Sequence, residues 1–178
     1  MSYIMINGTD NPRELIFNGT QPQCLVYNGE IVWGAKTLES YRVYIEWDPV
    51  VMENITIDTL GYNSSFSITT NDIMEASYHD STQWRSLDST AIAKMVAPAG
   101  NSLQQYCKGI FIKLEPDLDL QSFNFTTDQY YQPTGNCVVT IEECYHDGQG
   151  QVSYIKIAEK TVSMAANTTY TINRGDGV

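Results

Sequence analysis

The chain has 178 residues, of which 42% are apolar and 17% are charged, and its formal net charge is −11. This length suits one domain, or one domain with a small appendage, and the low content of charged residues excludes intrinsic disorder. The acidic balance makes nucleic acid an unsuitable partner, and no apolar run reaches the length of a membrane span. Residues 1–10 lack the basic start and apolar stretch of a secretory signal, so we expect retention in a cytoplasm or release by lysis.

Three short apolar runs near the N-terminus each end in Asn-Gly. The pairs are Asn7-Gly8, Asn18-Gly19 and Asn28-Gly29, spaced by 11 and then 10 residues. Asn-Gly accepts the positive φ angles of a type I′ turn, whose twist suits two flanking strands. The third copy continues to Trp33, so the pattern predicts a hairpin over Cys24 to Trp33 with Asn28-Gly29 at its tip. An isolated hairpin is marginal in water, so residues 1–34 need the rest of the chain, copies of themselves or a partner.

Residues 35–40 predict a short linker, and residues 41–178 predict a sandwich domain. The first strand of that domain, Tyr41 to Trp47, alternates aromatic and β-branched residues and is stopped by Asp48-Pro49. Further strands are predicted over Asn54–Thr59, Ser65–Thr70, Gly109–Leu114, Ser122–Thr126, Cys137–Tyr145, Gln151–Ala158 and Thr168–Ile172. Residues 147–150 predict a hairpin turn, and the segment from Ser89 predicts either a short helix or a loop with one helical turn. The predicted fold is all-β: an N-terminal β-hairpin array followed by an antiparallel β-sandwich, with the jelly roll as its narrower form.

The four cysteines form no CxxC pair, and the chain has two histidines, so we expect no zinc site and no other metal. Cys137 and Cys144 lie seven residues apart in one predicted strand, which turns them to opposite faces and prevents a disulfide between them. We expect all four thiols to be reduced and mostly buried. Glu115, Asp117 and Asp119 could offer oxygens to calcium, but their spacing is not that of an EF-hand, and a solvated acidic edge is favoured.

No catalytic motif is present, so we predict a protein that is not an enzyme and needs no cofactor. The tripeptides Tyr78-His79-Asp80 and Tyr145-His146-Asp147 place a potential base beside a carboxylate, but both lie near predicted turns, where polar turn residues are the simpler interpretation. Arg174-Gly175-Asp176 matches an integrin-binding tripeptide, and its place near the C-terminus predicts a flexible tail. A match of three residues is easily accidental.

Aromatic residues in or near predicted loops could contact a glycan. They are Trp84, Tyr130, Tyr131 and Tyr106. Flat rings stack on sugar faces, so the first three could form a carbohydrate-binding surface, whereas packing against the sheets is the favoured role for the same residues.

The pattern of a short apolar run followed by Asn-Gly is clearest in Leu25-Val26-Tyr27-Asn28-Gly29-Glu30-Ile31-Val32-Trp33. This pattern resembles the short Asn-Gly segments of minor structural proteins of tailed bacteriophages. The resemblance covers about 35 residues. It implies a virion component, namely a tail, baseplate, head-fibre or capsid-decoration protein. The residues assigned to the assembly segment are Asn7, Gly8, Asn18, Gly19, Tyr27, Asn28, Gly29 and Trp33.

Our first hypothesis is therefore a phage virion protein, assembled in the cytoplasm of the bacterial host, that attaches through residues 1–34 and displays the sandwich. Its expected partners are other virion proteins and further copies of itself, without nucleic acid or membrane. The alternative hypothesis is a carbohydrate-binding adhesin module that recognises a glycan on the host surface.

Overall fold

The structure is a computed structural model that describes residues 24–27, 30–34, 36–96, 102–130, 135–148 and 150–178, with the backbone alone for 24–27 and 30–34. The chain divides into two compact units. The smaller unit is Met1–Leu38 with Tyr145–Ser153, and the larger unit is Glu39–Cys144 with Tyr154–Val178.

Strands account for 58% of the structure and the described residues hold one short α-helix, so the fold is all-β with antiparallel sheets, as predicted. The strands are β1 (Cys24–Tyr27), β2 (Glu30–Gly34), β3 (Thr37–Asp48), β4 (Glu53–Ile57), β5 (Thr59–Tyr62), β6 (Phe66–Ser67), β7 (Ile73–His79), β8 (Trp84–Ser86), β9 (Leu103–Cys107), β10 (Gly109–Leu114), β11 (Ser122–Thr126), β12 (Asn136–His146), β13 (Val152–Ser163) and β14 (Thr169–Asn173). The helix α1 spans Ser89–Val96.

Two sheets form the body of the larger unit. One has six strands in the order β13-β12-β3-β10-β7-β8, and the other has four in the order β14-β11-β5-β6. Strands β4 and β9 form a separate two-stranded sheet, and strands β1 and β2 form another. The architecture is sandwich-like, and the narrower prediction of a jelly roll is not confirmed.

The core consists of the apolar side chains on one face of each sheet. The side chains of Val43, Ile45 and Ile112 on the six-stranded sheet are completely buried. Those of Phe123 and Phe125 on the four-stranded sheet are also completely buried. The alternation in β3 explains this arrangement, because successive residues of a strand point to opposite faces. Burial of these aliphatic and aromatic groups is the main stabilising contribution to such a domain.

Several predicted boundaries agree with the structure. Strands β10 and β11 have the predicted limits, and the turn over residues 147–150 connects β12 to β13. Of the two alternatives for the segment from Ser89, the short helix is the one observed, as α1. The hairpin over Cys24 to Trp33 is confirmed, since Tyr27 pairs with Glu30 and Leu25 with Trp33.

Other boundaries were wrong. Thr37 to Ser40, predicted as part of the linker, belong to β3. The predicted strand Asn54–Thr59 covers most of β4 and only the first residue of β5, and β7, β8 and β9 were missed. The residues of β7 include Met74, Glu75 and Ala76, which are not typical strand formers. This strand forms because β10 and β8 hydrogen-bond to it on either side, and such pairing overrides local propensity.

Three of the four cysteines lie in the described residues with known side-chain positions. Cys107, Cys137 and Cys144 are free and buried. Burial raises the pKa of both Cys107 and Cys137 to about 12, so their thiols remain protonated at neutral pH. Cys24 lies in β1, where the backbone alone is described.

Candidate binding surface

The outer face of the six-stranded sheet carries a continuous set of aromatic side chains around one arginine. In β3, Arg42 and Tyr44 alternate with the buried Val43 and Ile45 and therefore point outward. The register with β10 places Phe111 opposite Tyr44.

The same face continues toward β7 and β8. The pairing of β10 with β7 places His79 opposite Gly109, and the pairing of β7 with β8 places Trp84 opposite His79. At the opposite edge of the same sheet, β13 contributes Tyr154 to this face. We call Tyr154, Arg42, Tyr44, Phe111, His79 and Trp84 the aromatic row.

The rings of the aromatic row pack on one another in edge-to-face and tilted geometries. The ring centroids of Tyr44 and Phe111 are 5.0 Å apart. Trp84 lies edge-on to His79, Phe111 and Tyr44, with centroid distances of 5.1, 6.1 and 6.2 Å. These are favourable aromatic geometries, and they hold Trp84 in a defined orientation.

Arg42 connects the two halves of the aromatic row. Its guanidinium carbon lies 4.3 Å from the ring centroid of Tyr154 and 5.3 Å from those of Tyr44 and Phe111. Its Nη1 is 3.7 Å from Oε2 of Glu142 on β12. Cation–π contacts and this ion pair therefore orient the side chain of Arg42, and the positive charge is balanced locally.

The aromatic row combines exposed and supporting residues. Tyr154 is 55% exposed and Trp84 is 39% exposed, whereas Phe111 is 9% exposed and acts as support. Burial raises the pKa of Tyr44, and the nearby Arg42 only partly opposes this, so the phenol is neutral at physiological pH. The surface presents rings on which a ligand can stack or pack.

In each His-Asp tripeptide the aspartate stabilises the turn that follows a strand. Asp80 Oδ1 accepts hydrogen bonds from the backbone N–H groups of Thr82 and Gln83 at 2.7 and 2.8 Å, and Oδ2 accepts one from Arg85 Nε. These donors lower the pKa of Asp80. The Nδ1 atom of His79 lies 2.5 Å from the backbone oxygen of Asp80. The carboxylate of Asp80 is therefore committed to the β7–β8 turn.

Asp147 has a similar role in the other tripeptide. Its Oδ1 accepts a hydrogen bond from the backbone N–H of Gln151 at 2.8 Å, within the turn between β12 and β13. Only the aspartates therefore have the predicted turn role, since Tyr78 and His79 lie in β7 and Tyr145 and His146 lie in β12.

The glycan-contact residues predicted from the sequence do not form one described group. Trp84 and Tyr106, expected in or near loops, lie in strands β8 and β9. Tyr130 is 82% exposed, and its backbone N–H donates to Asp128 Oδ1 at 2.6 Å. Tyr131 lies outside the described residues.

The predicted assembly residues fall mostly outside the described part of the chain. Asn7, Gly8, Asn18, Gly19, Asn28 and Gly29 are among the residues not described. Tyr27 and Trp33 lie in β1 and β2, where the backbone alone is described.

The tripeptide Arg174-Gly175-Asp176 was expected on a flexible tail, and that expectation was wrong. Arg174 Nη2 lies 2.7 Å from Oε1 of Glu143, whose side chain is 6% exposed. Gly175 N–H donates to the backbone oxygen of Ile157, and Glu159 N–H donates to that of Asp176. A Cβ atom at Gly177 would lie 2.2 Å from the backbone oxygen of Glu159. The tripeptide is therefore docked against β13 by the hydrogen bonds of its backbone.

The acidic residues considered for calcium lie around a turn. Residues Pro116–Leu118 form a 3-10 turn, Asp119 has a left-handed backbone, and Asn63 Nδ2 donates to the backbone oxygen of Asp119 at 2.9 Å. Across the described residues, no three or more His, Cys, Asp or Glu side chains are grouped so that they could hold a metal ion.

Sequence reasoning missed Arg42, Tyr44, Phe111 and Tyr154 as members of one surface. The available signal was the alternation of β3, which identifies Arg42 and Tyr44 as outward-facing. Neither Phe111 nor Tyr154 could be added without knowing which strands lie beside β3.

Comparisons with known proteins return no match: no protein family, no curated protein and no solved structure is similar to this chain. In the described ranges, no helix combines the length and the apolar character that crossing a membrane requires.

Proposed function

We propose that the chain is a structural protein of a tailed-bacteriophage virion, attached through its Asn-Gly segment and displaying the sandwich. The observation that carries the proposal is the division of the chain into two units, with Met1–Leu38 and Tyr145–Ser153 in one and the sandwich in the other. The resemblance of residues 25–33 to the Asn-Gly segments of minor phage structural proteins supports the same function.

The small size of the β1–β2 hairpin supports an attachment role. The two strands have four and five residues, and they pair with each other in a two-stranded sheet. Because a two-stranded hairpin is marginally stable in water, such a segment gains most when another surface packs on it. In this proposal that surface belongs to a neighbouring virion protein, and assembly takes place in the cytoplasm of the bacterial host.

The aromatic row supports an assembly role for the sandwich itself. Tyr, Trp, Phe and Arg are the residues enriched at the centres of protein–protein interfaces, and the aromatic row consists almost entirely of them. Its contacts fix the rings before a partner arrives, which lowers the entropy cost of binding.

Deletion of residues 1–34 tests the attachment proposal. Because β3 begins at Thr37 and the core lies in the larger unit, we expect the truncated chain to be folded and soluble. We expect its occupancy in purified virions to fall by at least about tenfold, corresponding to about 1.4 kcal/mol of lost binding. Circular dichroism measures the folding, and quantitative mass spectrometry of the particles measures the occupancy.

A full-length Phe66→Ala variant is the control, since this side chain is 57% exposed and lies outside the Asn-Gly segment. It should enter particles at normal occupancy. Normal occupancy of the truncated chain would show that residues 1–34 are not the anchor.

The second candidate function is recognition of a glycan on the host surface. The exposures of Trp84 and Tyr130 favour it, because both side chains present aromatic surface on which a sugar ring can stack. In this case the virion protein would be an adhesin module, and the row around Trp84 would be its glycan-contact surface.

A glycan array with the purified chain separates the two candidates. If the chain recognises a glycan through Trp84, the Trp84→Ala variant should lose at least about tenfold in affinity, the scale expected for losing one well-packed aromatic contact. Phe66→Ala is the matched control, because Phe66 is 57% exposed on the four-stranded sheet, outside the row around Trp84. The absence of binding to any glycan by the unmodified chain would remove this candidate.

A further inference from the structure

We propose that residues 174–178 form an intramolecular cap on the edge of β13, and that this cap keeps β13 from pairing with the β13 strand of a second copy. The inference goes beyond the attachment role of the Asn-Gly segment and does not depend on it. It rests on the position of β13 in its sheet, on the backbone hydrogen bonds of the cap and on a close approach at Gly177.

Strand β13 is the long edge of the six-stranded sheet in the part of the chain that the structure describes. It has 12 residues and hydrogen-bonds to β12 on one side, whereas β8, at the opposite edge of the sheet, has three residues. A long edge strand presents a row of backbone N–H and C=O groups on which another strand can add, and a very short one does so much less. The side of β13 that faces away from β12 is therefore where this sheet needs protection.

The cap bonds to β13 through the backbone. Gly175 N–H donates to the backbone oxygen of Ile157 at 2.8 Å, and Glu159 N–H donates to that of Asp176 at 2.7 Å. Ile157 and Glu159 are two residues apart, so their backbone groups point to the same side of the strand. A strand added from a second copy would need these same two groups, so the cap and such a strand exclude each other.

Two ion pairs and a local turn hold the cap in place. Arg174 Nη2 lies 2.7 Å from Oε1 of Glu143, whose side chain is 6% exposed. Lys160 Nζ lies 3.4 Å from Oδ2 of Asp176, and the same carboxylate oxygen accepts a hydrogen bond from Asn173 N–H at 2.9 Å. The cap is thus fixed at its start by a mostly buried ion pair and at its middle by contacts with β13 and β14.

Gly177 shows how closely the cap lies on the strand. Its φ angle is +68°, and a Cβ atom there would lie 2.2 Å from the backbone oxygen of Glu159. A side chain at this position would meet both an unfavourable backbone conformation and a direct overlap with β13. Substitution of Gly177 must therefore move the cap away from the edge.

Loss of the cap would expose the same edge on every copy of the chain. Two identical edges related by a two-fold axis run antiparallel, so they can pair and join two six-stranded sheets into one. The partner expected for an uncapped β13 is therefore β13 of a second copy.

Truncation after Arg174 tests the proposal, because it removes both backbone hydrogen bonds of the cap and keeps the ion pair with Glu143. Sedimentation velocity over a range of concentrations should show that this shortened chain self-associates at least about tenfold more strongly than the full chain. A chain that ends at Gly177 is the matched control. It lacks only Val178, which is 65% exposed, and it should behave like the full chain.

A proline on the edge identifies the strand that pairs. Glu159→Pro in the chain truncated after Arg174 removes the N–H group that the cap had used, and edge strands accept proline where the N–H faces away from the sheet. This change should return self-association to the level of the full chain.

Three results would overturn the proposal. They are a folded truncated chain that associates no more strongly than the full chain, equal association of the chains ending at residues 174 and 177, and association that persists with Glu159→Pro. If circular dichroism shows the truncated chain to be unfolded, full-length Gly177→Val replaces it in the same comparisons, since it displaces the cap and keeps every other residue. Stronger association of that variant supports the proposal, and unchanged association overturns it.

Discussion

Replacing Phe125 with alanine should lower the free energy of unfolding by about 3–5 kcal/mol, the range found for phenylalanine-to-alanine changes in protein cores. Phe125 is completely buried in β11, the strand between β14 and β5. Its ring centroid lies 5.0 Å from that of Tyr170 and 6.3 Å from that of Phe123. Truncation removes the buried ring and leaves a cavity in a rigid sheet, where neighbouring strands cannot collapse to fill it.

Urea denaturation followed by fluorescence measures the change, because the slope and the midpoint together give the free energy of unfolding. Phe66→Ala removes the same ring at a position that is 57% exposed, so it should change this free energy by less than about 1 kcal/mol. Similar losses for both variants would contradict the placement of the core between the two main sheets. The free energy of unfolding of a domain of this size is about 5–15 kcal/mol, so the Phe125 variant should also express poorly at 37 °C.

Raising the pH above 9 should destabilise the protein through two buried thiols. The pKa of Cys107 and of Cys137 is raised by burial from 9.0 to about 12. In the unfolded chain these thiols release protons above about pH 9, whereas in the folded chain they remain protonated until about pH 12. The stability they contribute is therefore fully present below pH 9 and is lost as the pH rises toward 12.

In this window each thiol lowers the free energy of unfolding by at most about 1.4 kcal/mol per pH unit. The two thiols together should therefore lower the free energy of unfolding by at least about 3 kcal/mol between pH 9 and pH 11. Urea denaturation at a series of pH values measures it. The Cys107→Ala, Cys137→Ala double variant is the control, and its stability should fall less steeply with pH, although its stability at pH 7 is lower. A residual slope is expected from Cys144, Tyr41 and Tyr44, whose pKa values are also raised by burial. Equal slopes in the two proteins would show that these thiols do not control the alkaline behaviour.

The aromatic row shows why part of the candidate site escaped prediction. Its members come from β3, β7, β8, β10 and β13, and residues 42 and 154 are brought together only by the order of the strands in one sheet. The sequence predicts Trp84 as a candidate contact residue because it is aromatic and near a predicted loop. No local sequence pattern indicates that Tyr44 and Phe111 lie next to Trp84. The same limit applies to Arg174, whose contact with the buried Glu143 overturned the expectation of a flexible tail.

The sequence by itself determined the features that depend on neighbouring residues. Alternation in β3, the apolar run of β10 and the Asn28-Gly29 signal were sufficient to predict an all-β chain that opens with a hairpin, because side-chain direction and turn geometry are local properties of the backbone. The tertiary structure decided the strand order, the formation of β7 between β10 and β8, and the assembly of the aromatic row. These features depend on hydrogen bonds and packing between segments far apart in the chain. A local alternation of apolar and polar residues does not predict which strands become neighbours.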